Sequence, residues 1–270
     1  MKPWQKAVKY CAIAFAVILV ANIVGWTLAV FGAIFGTSSV IAEESQSFEF
    51  DANVDELEIE ISAAAFTLSA QECDKITVKS NLKNLTAKES GGKLKIKEKS
   101  RLLTVTDSDA FVEIVYPIGT DFDKVEIFGG AGRLTVSSLT VSSLKLELGA
   151  GETVIESLTV EKEADIDGGA GALIFKSSSI KDLELDMGVG ELSYSGRLSG
   201  KNEISLGVGE AYFELEGSKN DYSLDLEKGI GDVKVDGTSV GNSEIGDGDT
   251  RIEIDGGVGN IVIDFKGANE

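Results

Sequence analysis

Short runs of alternating apolar and polar residues fill most of the chain, and Gly-small-Gly triplets punctuate them. The glycine pairs are Gly130/Gly132, Gly149/Gly151, Gly169/Gly171, Gly188/Gly190, Gly207/Gly209, Gly229/Gly231 and Gly257/Gly259. The steps between them are 19, 20, 19, 19, 22 and 28 residues. Alternation within a repeat of this period predicts a solenoid of extended rungs, none of which can bury its apolar face alone. No helical period fits the same segments.

Three apolar columns emerge when each repeat is counted from its second glycine. Ile127, Leu146, Ile166, Leu185, Ile204, Leu226 and Ile254 stand five residues before it. Ala131, Ala150, Ala170, Val189, Val208, Ile230 and Val258 stand one before, and Val136, Ile155, Phe175, Tyr194, Phe213, Val235 and Ile263 four after. All three columns are expected on one face of the extended rung, stacked as internal ladders. Leu57, Ile59, Ile61, Ala63, Phe66 and Leu68 fit the same frame, with Ser62 and Ala64 at the glycine positions, and form a first rung. Residues 70–118 are degenerate: Ile76, Val78, Leu94, Ile96, Val112, Ile114 and Tyr116 suggest strands without clean glycine punctuation. Roughly eight to ten rungs, at about 4.8 Å each, make a rod of about 40–50 Å.

The expected fold is therefore all-β, a single-stranded parallel β-helix or β-solenoid with rungs of about 19–22 residues, preceded by one transmembrane α-helix. The expected division is a cytoplasmic tail over 1–9, the transmembrane helix over 10–36 and a linker over 37–50. Degenerate rungs over 51–118, regular rungs over 119–266 and a tail over 267–270 complete it.

The glycines have a structural reading: they flank a small residue where the backbone kinks or the next rung approaches closely. In that reading the glycine pairs stack rung on rung along the chain. A phosphate-cradling loop needs a helix N-terminus after the glycines, and here strand follows every time. Calcium-binding β-rolls carry an Asp two residues after their last glycine. Leu134 and Ile261 occupy that position here, and the period is not nine, so that class is excluded.

The apolar stretch from Tyr10 to about Phe35 is long enough to cross a bilayer. Lys2, Lys6 and Lys9 precede it, and Glu43 and Glu44 follow it. This asymmetry places the N-terminus in the cytoplasm and the repeats outside, as a cell-membrane protein. A cleaved signal peptide ending near Val40-Ile41-Ala42 is the alternative. Gly32 and Gly36 have helix-dimer spacing, equally compatible with ordinary small residues in a span.

There is no histidine, which removes Ser-His-Asp and Cys-His catalysis and the usual zinc sites. Cys11 lies in the predicted span, leaving Cys73 alone in the outer part, without an intradomain disulfide. The net charge is −20, and residues 43–270 hold 22 Lys/Arg against 45 Asp/Glu, so nucleic acid is not an expected partner. Residues 75–101 invert the sign, with Lys75, Lys79, Lys83, Lys88, Lys93, Lys95, Lys97, Lys99 and Arg101 against Glu89 and Glu98. This basic run either decorates outward strand faces or touches anionic lipid, anionic wall polymer or another partner.

Outward positions six and four before the second glycine carry eleven acids out of fourteen. Stacked at rung spacing they form a double carboxylate ladder, including Asp165, Asp167, Glu184 and Asp186. The ladder either maintains solubility or faces a cationic protein or divalent cation; an acid pair of glycosidase type is the third option. Asp247 and Asp249, in a longer Gly-rich repeat, are further weak metal candidates beside a solvated-turn reading. No catalytic residue and no cofactor is assigned, apart from that divalent cation.

The segment from Phe111 through Pro117, Gly119-Thr120 and Gly129-Gly130-Ala131-Gly132 to Val136 resembles a bacterial adhesin-type family of β-strand-repeat domains, also called the toastrack domain. The resemblance covers about residues 45–266. It implies a β-solenoid-like extracytoplasmic domain, often behind a membrane anchor and sometimes linked to envelope stress, without established catalytic residues. The expected function is a non-enzymatic binding, adhesin-like or scaffold module at the cell envelope. A polysaccharide-active β-helix enzyme and a self-assembling structural protein are the alternatives.

Overall fold

The computed structural model describes residues 41–99 and 109–267, with the side chains of 41–44 excepted. The predicted tail and span over 1–36, with Cys11, and Arg101 in the basic run lie outside the described residues. Among the described residues, no helix is long and apolar enough to cross a membrane.

The strands in chain order are β1 (Ile41–Asp51), β2 (Glu56–Ala63), β3 (Ala65–Gln71), β4 (Lys75–Leu82), β5 (Leu85–Ser90) and β6 (Lys93–Glu98). Then come β7 (Phe111–Pro117), β8 (Asp121–Val136), β9 (Leu139–Ile155), β10 (Leu158–Lys181), β11 (Leu183–Ser199) and β12 (Lys201–Glu216). A 3-10 turn, Lys219–Asp221, leads to β13 (Tyr222–Glu227), β14 (Val233–Val235), β15 (Thr238–Val240), β16 (Ser243–Ile245), β17 (Thr250–Val258) and β18 (Ile261–Lys266).

The central strands coil as the period requires. Leu139 pairs with Leu158, Ala164 with Leu183 and Glu184 with Glu203, all parallel. Two residues separate β8 from β9, yet the two strands run parallel side by side, so each must complete a circuit before stacking on the last. Inward residues of β9 fall in three runs: Leu139 and Val141, then Leu144, Leu146 and Leu148, then Thr153 and Ile155. The alternation slips phase between runs, so each rung has three short walls meeting at corners.

The slip corrects one expected column. Residues five before and four after the second glycine are buried in every repeat, as expected. They are an odd nine residues apart, so one uninterrupted strand cannot place both inside. The Gly-small-Gly corner absorbs the slip, and its middle residue points out: Ala131, Ala150, Ala170, Val189, Val208 and Ile230 are exposed. The core column four after the glycine includes an aromatic stack, Phe175, Tyr194 and Phe213, with centroids 5.6 and 6.5 Å apart.

Both ends depart from sequence order. The β2–β3 rung stacks directly on β8, pairing Ile59 with Ile127 and Leu68 with Val136, and the β6–β7 rung lies outside it. At the other end β17–β18 is inserted against β12, and the earlier β13–β14 rung lies outside that. Nine parallel rungs result among the described residues, a stack of about 40 Å. The degenerate residues 70–118 thus supply one full rung and two end strands, with Ile76, Val78, Leu94, Ile96, Val112, Ile114 and Tyr116 all buried.

The insertion corrects the expected order of the last glycines. Gly259 lies against Gly209, and Gly231 lies against Gly259, so the stack runs Gly209, Gly259, Gly231 rather than in chain order. The corner itself also changes along the rod. Gly209 lies within the continuous strand β12, whereas Gly231 falls between β13 and β14 and Gly259 between β17 and β18. Strand is thus interrupted at the corner in these two outer rungs.

Antiparallel strands close each end. β5 covers β6 while β4 covers β7, and β1 pairs with β4 outside it, so residues expected as linker are an edge strand. β16 covers β13 and β15 covers β14. The last strand in the chain, β18, is internal, lying between β12 and β14. Antiparallel outermost strands interrupt the parallel register that a further copy would have to continue.

One buried amide pins the turns. Asn202, fully buried, accepts from the Leu183 N–H (3.2 Å) and donates to the carbonyls of Ser199 (3.3 Å) and Arg251 (3.0 Å). It thereby ties three successive rungs.

Candidate binding surface

The second wall carries the predicted carboxylate columns. Asp165, Glu184, Glu203, Glu253 and Asp225 follow one another in register across five rungs, and Glu244 continues them on β16. The neighbouring column runs Glu147, Asp167, Asp186, Ser205, Asp255 and Glu227. The swapped rung order therefore exchanges the expected places of Asp225 and Glu253, and of Glu227 and Asp255.

Cations interleave the column farther from the glycine corner. Lys145 reaches Asp165 (2.7 Å) and Glu147 (3.2 Å), Lys201 pairs with Glu203, and Arg251 lies 3.4 Å from both Asp225 and Glu253. The Lys201 ammonium holds the Glu203 carboxyl below its ordinary pKa. Asp167 and Asp186 face each other across adjacent strands with no Lys or Arg partner among the described residues.

No three His, Cys, Asp or Glu among the described residues converge as a metal site. Asp165, Asp167, Glu184 and Asp186 stand along columns, while Asp247 and Asp249 are exposed on the connection between β16 and β17. Nor does one carboxylate pair stand apart as an acid–base couple. Among the described acids Glu98 is the buried one, and its Oε2 accepts the Ser62 N–H at 2.7 Å.

The basic run folds against acids. Lys93 lies 2.8 Å from Glu58 and 3.4 Å from Glu126, Lys95 pairs with Glu58, Lys97 with Glu60, and Lys75 with Glu49 at 3.2 Å. The Lys93 and Lys95 ammonium groups lower the Glu58 carboxyl to about 2. The Lys93, Lys95 and Lys97 contacts arise because the β6–β7 rung lies on the acidic β2–β3 rung, and the Lys75 contact because β1 pairs with β4, long-range pairings the local charge pattern does not reveal. Cys73 is half-buried, and its thiol donates to the Lys75 carbonyl at 3.3 Å.

The glycine corner forms a continuous outward seam. In stacking order its middle residues are Ala63, Ala131, Ala150, Ala170, Val189, Val208, Val258 and Ile230. The flanking glycines leave two lanes of bare backbone beside this ridge. One lane runs Gly130, Gly149, Gly169, Gly188, Gly207, Gly257 and Gly229, and the other Gly132, Gly151, Gly171, Gly190, Gly209, Gly259 and Gly231. Gly209 and Gly231 are exposed and Gly259 between them is half-buried, so these glycines belong to the surface and not to an inner kink. An apolar cavity of 50 Å³ lies beneath the seam, lined by Ile61, Phe66, Leu148, Leu173 and Met187 among others. That is far below the roughly 300 Å³ at which small-molecule pockets begin. Sequence reasoning missed the seam because it assigned the middle residue to the core; the odd spacing between the two buried columns was the available signal.

An all-β, solenoid-like coil with a glycine corner and antiparallel ends defines the class of this protein. Its sequence matches the family Toastrack DUF4097 over residues 54–267, and the chain belongs to that family. Similar solved structures include a "putative cell adhesion protein" from Clostridium sporogenes, at 15% identity over 83% of this chain and 99% of that one, TM-score 0.35. A "putative adhesin" from Parabacteroides distasonis is 13% identical over 82% and 97% of the two chains, TM-score 0.40. A "putative lipid binding protein" from the same organism is 13% identical over 82% and 98%, TM-score 0.42. At these values the likeness carries no functional argument. No curated protein matches the chain.

Proposed function

We propose that this chain is a non-enzymatic binding or scaffold module, anchored by its N-terminal apolar stretch and displayed outside the cytoplasm at the cell envelope. The observation that carries the reading is the rung-periodic outer surface. Every outward position recurs at strand spacing, so chemistry is spread along columns and offered to an extended partner. Capture of such a partner needs a wide complementary surface rather than one reactive group. The anchor and orientation rest on Lys2, Lys6 and Lys9 before the apolar residues 10–36, with Glu43 and Glu44 after them. A link to envelope stress rests on family resemblance alone.

Two measurements on whole cells test the reading. With Cys11→Ser, Cys73 becomes the single thiol, and a membrane-impermeant maleimide is expected to label it in intact cells. Labelling only after the membrane is broken overturns the orientation. Photo-crosslinking of the full chain in cells is then expected to yield defined adducts from outward positions; their absence from every wall overturns the binding role.

A further inference from the structure

Five large apolar side chains are notably exposed among the described residues: Ile118, Val189, Val208, Tyr212 and Ile230. Four of them gather on the C-terminal half of the rod. Val189, Val208, half-buried Val258 and Ile230 are consecutive along the seam, and Tyr212 stands on the third wall four residues after Val208. Val189, Val208 and Ile230 are 47, 39 and 43% exposed, against an alanine ridge on the other half. The seam thus changes from a low ridge to a β-branched one along the rod.

The charges beside it change over the same stretch, with Asp167, unpaired among the described residues, already standing beside Ala170 on the second wall. Next to the alanine half, Glu147 is held by Lys145 at 3.2 Å and Glu152 by Arg133 at 2.6 Å. Next to the β-branched half, Asp186, Asp255 and Glu227 line the second wall, and Glu191, Glu210 and Asp232 the third. All six are exposed, and none has a Lys or Arg partner among the described residues. The acids one position farther out, Glu203, Glu253, Asp225 and Glu214, do have such partners. Glu210 instead accepts the Tyr212 hydroxyl at 2.6 Å.

We infer that the β-branched half of the seam is a docking surface for a cationic, amphipathic segment of a partner protein. The inference rests on the binding-module reading above and names its surface and partner chemistry. An apolar stripe on the partner covers Val189, Val208, Val258 and Ile230 and settles into the bare glycine lanes. Lysines or arginines on either side of that stripe meet the two unpaired carboxylate rows. Charge complementarity selects this occupant over a second copy of the same surface, which would bring six carboxylates against six. Four rungs span about 14 Å, the length of about ten residues of helix.

The test uses the purified full chain and a synthetic 14-residue Lys/Leu peptide with its leucines at helical spacing, beside a Lys/Ser peptide of equal charge. The Lys/Leu peptide is expected to bind and to weaken with added salt. Its affinity should fall about tenfold, roughly 1.4 kcal/mol, in Val189→Ser/Val208→Ser and again in Asp186→Asn/Glu191→Gln. Ala150→Ser/Glu152→Gln, at the alanine end, should bind as the parent does. All six positions are outward, and melting curves keep the variants comparable; should the serine pair unfold, the charge-neutral pair carries the test. Equal binding of the Lys/Ser peptide, or unchanged affinity in both seam variants, overturns the assignment. A chain that ignores both peptides yet forms adducts in cells loses the seam assignment and keeps its role as a binding module.

Discussion

A Cβ added to Gly190 would stand 1.7 Å from the carbonyl oxygen of Gly171 on the neighbouring rung. Gly190 also has φ of +144°, a conformation that side chains rarely adopt. Backbone cannot yield as the end of a side chain can, because that carbonyl belongs to the stack itself. Gly190→Val should therefore cost about 3 kcal/mol or more, combining strain with lost rung contact. Ser193→Val, at a half-buried outward position three residues on, should change stability by about 0.5 kcal/mol or less. Thermal melts of the two variants decide the matter, and equal midpoints would refute the backbone requirement.

The swapped rung order has its own signature. Glu203 and Glu253 are direct parallel partners although fifty residues separate them, whereas Asp225 lies one strand beyond Glu253. Neighbouring strands place α-carbons about 5 Å apart, within disulfide reach, while the next strand is about 10 Å away. In a chain with Cys11→Ser and Cys73→Ser, the pair Glu203→Cys/Glu253→Cys is expected to oxidise to an intramolecular disulfide. Glu203→Cys/Asp225→Cys is expected to stay reduced. The reverse result would restore a strictly sequential stack.

Much of this architecture is readable in the residues and part of it is not. Alternation around Ile127 or Leu185 declares strand and face, because a two-residue period survives wherever one face is buried. The corner hides its own phase slip, because glycine has no side chain to report which way it points. Val189 and Val208 therefore read as core although they stand in solvent. Rung order is hidden for another reason. Each rung presents the same apolar ladder and the same glycine pair, so Ile254 fits on Ile204 as well as Leu226 does, and Gly259 fits on Gly209 as well as Gly231 does. The step of 22 residues holds the 3-10 turn Lys219–Asp221 and the step of 28 holds the hairpin strands β15 and β16, but neither length tells which rung is displaced. The charged surface follows the same division: acid columns are legible along the chain, while the pairing of Lys93 and Lys95 with Glu58 depends on which rungs touch.

Glu58 provides a pH test of that contact. Lys93 and Lys95 depress its carboxyl to about 2 from the ordinary 4.5. A depressed carboxyl contributes stability that is fully present above its unfolded pKa and is lost as pH falls through the folded one. The expected window is therefore from about 4.5 down to about 2. The side chains of Lys93 and Lys95 are 35 and 45% exposed, so screening limits the contribution to about 1 kcal/mol. Melting curves of the parent chain should fall more steeply across this window than those of Glu58→Gln, and parallel curves would argue against the contact.

The carboxylate columns predict how stability responds to ions. Asp167 and Asp186 are direct cross-strand partners without a cationic partner among the described residues. Two such charges about 4.8 Å apart repel by roughly 0.9 kcal/mol at the dielectric of water, less with salt present. Asp186→Asn should thus stabilise the chain by about 0.5 kcal/mol at low ionic strength, with the gain shrinking as NaCl is added. The acids stand in columns and no three of the described ones converge on one point, so Ca²⁺ and Mg²⁺ should act only through ionic strength. Melts of the parent chain and Asp186→Asn in NaCl, CaCl₂ and MgCl₂ at matched ionic strength provide the comparison. A rise specific to Ca²⁺ and absent from the variant would establish an ion site. No response to salt in either protein would show that the carboxylates are not in the register described.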